Sequence, residues 1–477
     1  MKLRVPTGQE VSVSTDLGKF QVGPFSNCEG IGERTHWFAT ITAIPDPGGK
    51  GDQHGITISG RYANLEDAQK AFKDGFTVID PKEAPDAPVA KVVAALATTP
   101  GVIAFDNSAI SELHIARYRG LSEQKFEGFG RINLLVGPNN SGKTSVLEAL
   151  ALFARPLDFE TWVETVWRRE IKSSRVSIAE ALLWMFPRGQ DMNEMPQGNI
   201  WIEGKGRYSG RKVVARYSSE NVLPPSGVAS EPNTDFAIRQ AIELDISADF
   251  ERVLPNGIET RGYQNSLKVR ISEGDSTTYS SKPTDPSLPL GFIDACSHRV
   301  EATVHDLYSA ALRREGPNQD FKEDFVRILQ RIDPDILRLD LVQTGRSTTR
   351  LVIKHRRTGV TPLSAFGDGV RRALLIAVMI PTLRDGVLLI DELEAALHVS
   401  VLGAVLELLR WAADEFQVQI FATTHSLEAI DSVVNAFSNR PDSLVGFRLD
   451  RNKGPTIKRF PGDSLRDMRF TQGLDVR

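Results

Sequence analysis

Residues 137–144 read Gly137-Pro138-Asn139-Asn140-Ser141-Gly142-Lys143-Thr144, and this stretch decides the fold. It fits the phosphate-binding loop pattern, Gly-x-x-x-x-Gly-Lys-Ser/Thr, at every fixed position. Residues 131–136 before it predict a strand, and residues 145–154 after it predict a helix that is closed by Pro156. Strand, glycine-rich turn and helix bring backbone N–H groups and the positive helix end against an anionic phosphate. An ordinary βα turn gives no reason for Lys-Thr after the second glycine, so we predict an α/β nucleotide-binding domain.

The loop also supplies candidate ligands for a nucleotide. In this motif the lysine reaches the β- and γ-phosphates and the next hydroxyl holds Mg²⁺, so we expect these roles for Lys143 and Thr144. The sequence therefore predicts ATP and Mg²⁺ as cofactors. The predicted nucleotide-binding residues are Gly137, Asn139, Asn140, Ser141, Gly142, Lys143, Thr144 and Ser145.

A second apolar strand, residues 387–390, ends in two acidic residues, Asp391 and Glu392. Short, continuous apolar runs are typical of parallel strands that are buried on both faces. A phosphate-binding loop needs a second Mg²⁺ ligand at a neighbouring strand end, and Asp391 is the natural one. Glu392 can orient or deprotonate the attacking water. If the Asp-Glu pair stood alone, two solvated acids at the end of a strand would explain it equally well. Because a complete phosphate-binding loop precedes it in the chain, we favour the functional interpretation.

The next apolar strand, residues 418–422, leads into Thr-Thr-His-Ser, and His425 is a second catalytic candidate. An imidazole there can hydrogen-bond the γ-phosphate or the attacking water. His425 follows Asp391 by 34 residues, enough for one helix and one strand. The alternative is a helix-capping turn, which is the usual explanation of a lone histidine. His398 is a weaker candidate, for a subunit contact.

A glycine-rich turn at residues 363–372 precedes a third helix and contains Ser364, Gly367 and Gly369. It lies 24 residues before Asp391, counting from Gly367. The amino terminus of a helix offers N–H groups to an anion. Alone this signal is weak, because most Gly-Asp-Gly turns bind nothing.

Taken in order, these four motifs resemble those of ABC-class ATPase heads, in the AAA branch that is similar to the overcoming-lysogenization-defect (OLD) proteins and includes prokaryotic defence ATPases. The likeness covers about residues 113–449. The loop is shared by P-loop NTPases generally, and the other three motifs narrow the resemblance to the ABC class. The stretches that carry it are Leu-Leu-Val-Gly-Pro-Asn-Asn-Ser-Gly-Lys-Thr from 134, Phe-Gly-Asp-Gly-Val-Arg-Arg from 366, Leu-Ile-Asp-Glu-Leu-Glu-Ala-Ala-Leu-His from 389 and Phe-Ala-Thr-Thr-His-Ser from 421.

The resemblance implies an ABC-type head with a mixed sheet, and two heads that sandwich two ATP molecules in a homodimer or a higher homo-oligomer. The residues that would act within one subunit are Lys143, Thr144, Asp391, Glu392 and His425. Those that would reach the γ-phosphate from the other subunit are Ser364, Gly367 and Gly369. Two features depart from the family pattern. The turn is not the Ser-Gly-Gly-Gln of transporters, and Gln190 is only a candidate for the glutamine loop.

The pattern along the chain divides it into six stretches. We predict a small α+β unit at 1–80, linker and short elements at 81–112, and the first part of the ATPase head at 113–155. Within the first unit the sequence predicts strands at 37–44 and 55–59 and a helix at 65–76. Inserted antiparallel strands and a helical arm follow at 156–360, then the second part of the head at 361–450 and a tail at 451–477. Within the arm, apolar faces are predicted for a helix with Val300, Val304 and Ala311 and for one with Phe321 and Phe325.

Composition restricts the cellular setting. The net charge of −4 gives no global attraction to nucleic acid, and two cysteines, Cys28 and Cys296, cannot build a disulfide framework. The first residues lack the apolar core of a signal peptide, and the longest apolar stretch, residues 374–380, is too short to span a bilayer. We therefore expect a cytoplasmic protein with no membrane partner.

Two functions remain open at this stage. The first is an ATP-hydrolysing switch that controls a separate effector, such as a nuclease, in antiviral defence, since only 52 residues follow His425 where OLD proteins carry a nuclease domain. The second is a DNA-repair or chromosome-maintenance ATPase of the RecF and SMC type. Its support is a basic cluster that could equally be a solvated strand pair. That cluster comprises Arg346, Arg350, Lys354, Arg356, Arg357, Arg371 and Arg372.

Overall fold

A computed structural model gives the fold of the chain. It describes five strands within residues 11–60, and most of the chain from residue 109 onward. The residues described in this second part are 109–169, 177–187, 198–207, 210–222, 239–254, 257–272, 276–279, 287–316, 319–343, 349–450 and 457–477. The chain forms two compact units, one of residues 1–106 with 251–263 and one of residues 107–250 with 264–477.

The first unit contains a five-stranded antiparallel sheet. Its strands are β1 (Val11–Thr15), β2 (Gly18–Val22), β3 (Ser26–Glu29), β4 (Thr35–Ile44) and β5 (Gly55–Gly60). They follow the order β1-β2-β4-β3, and β5 also pairs with β4. The strands predicted at 37–44 and 55–59 are therefore confirmed. The helix predicted at 65–76 lies outside the described residues.

A six-stranded sheet organises the second unit. Its strands are β8 (Ile132–Val136), β14 (Leu290–Ile293), β18 (Val387–Ile390), β19 (Gln419–Thr423), β20 (Leu444–Arg448) and β21 (Lys458–Pro461). Their order is β14-β18-β19-β8-β20-β21. Every pair is parallel except β20 with β21. This is the α/β P-loop fold class that the sequence predicts.

The central strands are apolar on both faces because each face covers a separate core. Along β8, Leu134 belongs to one buried cluster and Leu135 to the other. The same alternation holds along β18, where Leu388 and Leu389 point to opposite clusters. Period-two alternation of side chains places neighbours on opposite faces of a strand, so a sheet covered on both faces is mostly apolar. Asn133 and Gln419 are buried polar residues of these strands, and their side chains donate to backbone carbonyl oxygens.

One face packs against helices and a second sheet. The helices are α1 (Lys143–Ala154), α2 (Phe159–Trp167) and α3 (Ile178–Leu183). The sheet has the order β13-β12-β11-β10-β9-β6-β7. Its strands are β6 (Ile110–Tyr118), β7 (Leu121–Glu127), β9 (Ile200–Gly206), β10 (Gly210–Val222), β11 (Arg239–Leu254), β12 (Gly257–Ser272) and β13 (Ser276–Tyr279).

The other face packs against helices and a three-stranded antiparallel sheet. The helices are α4 (Glu301–Leu312), α5 (Phe321–Gln330), α6 (Asp368–Met379), α7 (Val399–Glu415) and α8 (Leu427–Ala436), and a short α9 (Gly462–Arg466) follows β21. The sheet consists of β15 (Ile336–Gln343), β16 (Thr349–His355) and β17 (Gly359–Pro362).

The structure corrects two details of the sequence prediction. The Pro- and Ser-rich composition of residues 280–291 predicts a loop, yet Leu290 and Gly291 begin β14. The strand pairs directly with β18, so this part of the insert completes the sheet of the head. Val300 was placed on the buried face of a helix, but it precedes α4 and is 53% exposed. Val304 and Ala311 are buried there as predicted.

Candidate functional site

The predicted site residues meet at the carboxyl edge of the central sheet. The phosphate-binding loop follows β8, Asp391 and Glu392 follow β18, and His425 comes two residues after β19. The strand β19 lies between the other two and is parallel to both. Carboxyl ends of parallel strands share one edge, so the topology brings together residues that are far apart in sequence.

Two glycines of the loop have backbones that other residues do not tolerate. Gly137 has φ +143°, and a Cβ there would lie 2.4 Å from the carbonyl oxygen of Leu449. Gly142 has φ +95°, and a Cβ there would lie 2.6 Å from the Leu121 side chain. The left-handed region is costly for residues with a Cβ. The glycine pattern of the loop therefore has a steric cause in this fold.

Lys143 points back into its own loop. Its Nζ donates to the carbonyl oxygens of Gly137 and Pro138, at 2.9 Å each. Burial lowers the pKa of Lys143, and the nearby carboxylates of Asp391, Glu394 and Glu392 act in the opposite direction. An ammonium group in this position faces the space above the loop, where the charge would meet phosphate oxygens.

Thr144 and Asp391 are in direct contact. The Thr144 hydroxyl donates to both carboxylate oxygens of Asp391, at 3.2 and 3.0 Å, and Thr423 donates to the same carboxylate at 2.6 Å. Thr423 in turn accepts the backbone N–H of Glu392 at 2.8 Å. Hydroxyl and carboxylate oxygens are the ligands that Mg²⁺ prefers. These two side chains therefore fit the metal role predicted for them.

Arg372 fixes the backbone that carries the two acids. It is fully buried, and its guanidinium donates to the carbonyl oxygens of Asp294, Asp391 and Glu392 at 2.9, 3.2 and 2.8 Å. Glu392 has φ 52°, in the left-handed region. Such a conformation costs about 1–3 kcal/mol in a residue other than glycine and persists only where its surroundings hold it. The hydrogen bonds from Arg372 help to stabilise this backbone conformation of Glu392.

The Glu392 side chain is exposed, and its carboxylate makes no hydrogen bond to any residue that the structure describes. It lines the same cavity as Lys143, Thr144 and Asp391. A free carboxylate beside the phosphate-binding loop can accept a proton from water. This placement agrees with the role predicted for Glu392 and leaves that role to be tested.

His425 is held by a neighbouring acid. Its Nδ1 lies 3.2 Å from Oε1 of Glu394, and the same oxygen accepts the His425 backbone N–H at 3.1 Å. The ring is 54% exposed and lines the cavity of the phosphate-binding loop. Glu394 did not stand out in the sequence, although it follows Asp391-Glu392 by only two residues. A carboxylate beside Nδ1 favours the tautomer with its proton on Nδ1. The other ring nitrogen, Nε2, is then free to face a ligand.

The cavity has a volume of about 470 Å³, large enough for a nucleotide phosphate chain. It includes one charged residue that the sequence analysis missed, Arg169, which follows α2. The described residues that line it are Asn139, Asn140, Ser141, Gly142, Lys143, Thr144, Ser145, Arg169, Asp391, Glu392, Thr423, Thr424 and His425.

Arg169 is positioned by a buried carboxylate. Its Nε donates to Glu148 at 2.6 Å, and its Nη2 donates to the Ser145 hydroxyl at 3.0 Å. Glu148 is fully buried on α1 and also accepts from Tyr118 and Arg119. Two guanidinium groups around one carboxylate leave a net positive charge at the cavity. The only signal in the sequence was an acid inside an otherwise apolar helix.

The residues of the Gly-Asp-Gly turn lie elsewhere on the surface. Ser364 and Gly367 are exposed and Gly369 is half-buried, and none of the three lines the cavity. Gly367 is the residue before α6. The Ser364 hydroxyl accepts a hydrogen bond from Arg350 at 2.9 Å. The structure thus separates these three residues from the cavity of their own chain.

Four arginines of the basic cluster are engaged in ion pairs. Arg350 pairs with Glu301, and Arg356 and Arg357 both pair with Asp335. Arg371 pairs with Asp368, and Arg372 is buried behind the site. Arg346 and Gln190 lie outside the described residues. The cluster is therefore not a single positive groove on the described surface.

The chain is similar to a family model and to several known proteins. A family model described as "AAA domain, putative AbiEii toxin, Type IV TA system" matches residues 132–196 and 275–431. An ATP/GTP phosphatase of Helicobacter pylori is 22% identical over 331 residues, which cover 68% of this chain and 86% of that protein. An uncharacterised protein of Methanocaldococcus jannaschii is 37% identical over 114 residues, 23% of this chain and 98% of that protein.

Among solved structures, an SMC head bound to the C-terminal winged-helix domain of ScpA has 12% identity and a TM-score of 0.37, covering 74% of this chain and 97% of that one. The SMC head domain from Thermotoga maritima has 13% identity and a TM-score of 0.31, covering 74% and 98%.

The family match spans the phosphate-binding loop, the Gly-Asp-Gly turn, the Asp-Glu pair and His425. Residues 132–196 and 275–431 are similar to AAA-type ATPase domains, and the chain is an ATPase. The narrower resemblance to the OLD branch stays a prediction. No helix among the described residues is both long enough and apolar enough to cross a membrane.

Proposed function

We propose that this chain is an ATP-driven switch, in which two copies close on two bound ATP molecules and open again after hydrolysis. One observation supports this most strongly. The cavity holds the residues expected to bind the phosphates and activate water, yet Ser364, Gly367 and Gly369 do not line it. A second copy would bring its own Gly-Asp-Gly turn to the open side of the cavity. The site would then be complete only in the dimer.

Within one copy, Lys143 and the loop N–H groups would bind the β- and γ-phosphates. Thr144 and Asp391 would hold Mg²⁺, which neutralises charge on the phosphate oxygens when bound. Their contact, at 3.0–3.2 Å, supports this proposal, because it places the Thr144 hydroxyl beside the Asp391 carboxylate.

Glu392 would accept the proton of the attacking water, and His425 would orient that water or the γ-phosphate. The exposed carboxylate of Glu392 is free to do so, because its backbone rather than its side chain is held by Arg372. Glu394 keeps His425 turned toward the cavity through its contact with Nδ1. Positioning and charge would supply most of the rate enhancement.

The output of the switch would be a separate effector protein, such as a nuclease, in antiviral defence. The description of the family, with its AbiEii toxin and type IV toxin–antitoxin system, supports a defence role. The ion pairs across the basic cluster make a DNA-binding role the weaker alternative, because paired charges release few counterions on DNA. We place the protein in the cytoplasm with this partner.

A hydrolysis assay with one paired variant tests this assignment. The purified chain should hydrolyse ATP only with Mg²⁺ present, and Lys143→Ala should lose nucleotide binding because the charge facing the phosphates is gone. Arg338→Ala, an exposed arginine that pairs with Asp340 on β15, is the matched control and should keep the parental rate. Parental binding and turnover in Lys143→Ala would show that the site lies elsewhere.

A further inference from the structure

A linked set of polar residues lies next to the Gly-Asp-Gly turn, on the outer face of the three-stranded sheet. Arg350, in β16, binds both oxygens of Glu301, with Nε at 2.9 Å and Nη2 at 3.3 Å. The same Nη2 donates to the Ser364 hydroxyl at 2.9 Å. Glu301 is the first residue of α4 and is itself partly exposed. Three elements of the fold thus contribute to one surface site.

The hydrogen bonds define what this site can bind. Ser364 accepts from Arg350, so its own hydroxyl hydrogen is free to be donated outward. Nη1 of Arg350 makes no hydrogen bond to a described residue, and the guanidinium is 43% exposed. The helix α6 begins four residues after Ser364, at Asp368, whose carboxylate is paired with Arg299 and Arg371. Free donors and positive charge together favour an anion.

Glu301 orients the guanidinium without hiding it. The paired contact restricts a side chain that otherwise has many rotamers, which lowers the entropy lost when the arginine meets a ligand. The contact also raises the pKa of Arg350, so the group stays charged. An arginine whose only role was to neutralise Glu301 would have no need to reach Ser364.

We propose that Arg350 contacts the γ-phosphate of the ATP bound by a second copy of this chain, alongside Ser364. This inference rests on the proposed function, because it requires the closed dimer. Arg350 does not line the cavity of its own chain. Its ligand must therefore come from outside, and a phosphate on a second copy matches the charge and the donors. The two N–H groups of Nη1 remain available to phosphate oxygens, because Nε and Nη2 already donate to Glu301 and Ser364.

A mixing experiment tests this directly. Arg350→Ala alone should lower the rate of ATP hydrolysis roughly 100-fold, as removal of one preorganised donor does, while ATP binding to the monomer and the melting temperature stay near parental values. Arg350→Lys keeps the charge and should recover only part of the rate. Arg338→Ala is the control, because Arg338 lies on the same face of the sheet in a salt bridge of its own.

Arg350→Ala is then mixed with Lys143→Ala, each of them inactive alone. If Arg350 acts on the other copy, both defects fall in one site of a mixed dimer and the second site is intact. Random assortment gives about a quarter of the parental rate, since half of the dimers are mixed and each has one good site. The pair Ser364→Ala with Lys143→Ala serves as a reference for contact between copies, because loss of the hydroxyl removes the donor and leaves room for the second copy.

Recovery in both mixtures supports the inference. Recovery with Ser364→Ala but not with Arg350→Ala would overturn it and leave the closed dimer standing, with Arg350 acting in its own copy. No recovery in either mixture would overturn the inference and the closed dimer together. A parental rate for Arg350→Ala by itself would also overturn the inference.

Discussion

Removal of Arg372 should damage both stability and catalysis. The side chain is fully buried and donates to three carbonyl oxygens, those of Asp294, Asp391 and Glu392. Arg372→Ala would leave these acceptors without their donor. An orphaned buried acceptor costs ~1–3 kcal/mol, and water entering the space would offset part of that cost. Release of a desolvated charge would offset more. We expect a net loss of about 3 kcal/mol in the free energy of unfolding.

The catalytic effect should exceed what instability explains. Without Arg372 the left-handed backbone of Glu392 loses one of its restraints, so the carboxylate would sample positions away from the cavity. At low temperature, where the variant is still folded, hydrolysis should fall by about 100-fold, because misplacing a catalytic group by ~1 Å has an effect of that size.

Urea unfolding followed by circular dichroism, together with ATP hydrolysis, measures both effects. Arg372→Lys keeps the charge but can satisfy fewer of the three carbonyls, and it should fall between the parent and Arg372→Ala. Arg384→Ala is the control, since Arg384 is exposed and makes one long hydrogen bond of 3.5 Å to the Glu415 carbonyl. If Arg372→Ala unfolded and hydrolysed ATP like the parent, the reasoning about the Asp391-Glu392 backbone would be refuted.

Three further predictions follow from the site and its surroundings. Ser364→Arg should block approach of the second copy and lower hydrolysis, while ATP binding to the monomer, measured by calorimetry, stays near parental; an equal loss of binding would place Ser364 in its own site. Arg169→Ala should weaken ATP binding by about tenfold, the effect of losing one charged contact, and unchanged affinity would mean that Arg169 only satisfies Glu148. Reversing the charge of Arg356 and Arg357 should not alter DNA affinity, because Asp335 already pairs with both; tight, salt-sensitive DNA binding that this change abolishes would favour the repair function.

Local patterns predicted the parts of the site that lie next to each other in the chain. The phosphate-binding loop could be predicted because its backbone requires glycine at Gly137 and Gly142. A Cβ at either position would be strained and would clash with a neighbour. The strands β8, β18 and β19 could be predicted because a sheet covered on both faces leaves short, mostly apolar runs in the sequence.

The parts that depend on contacts distant in sequence could not be predicted. Arg169 enters the cavity only because Glu148, a helical turn beyond the loop, is buried and needs partners. Arg372 was assigned to a basic surface cluster, since no pattern in the sequence shows that its guanidinium reaches back to the carbonyls after β18. Leu290 and Gly291 follow a Pro- and Ser-rich stretch, so local composition concealed the edge strand β14. In each case tertiary packing decides the outcome.

The association state of Glu392→Gln with and without ATP tests the central claim, that two copies close on bound nucleotide. The amide keeps the shape of the side chain but cannot accept the proton, so hydrolysis should nearly stop and the ATP-bound state should accumulate. Light scattering with Mg²⁺ and ATP should show a doubling of the mass per particle for Glu392→Gln, and no doubling for Glu392→Gln combined with Lys143→Ala. A variant that binds ATP, fails to hydrolyse it and keeps the same mass with and without nucleotide would contradict the proposed switch.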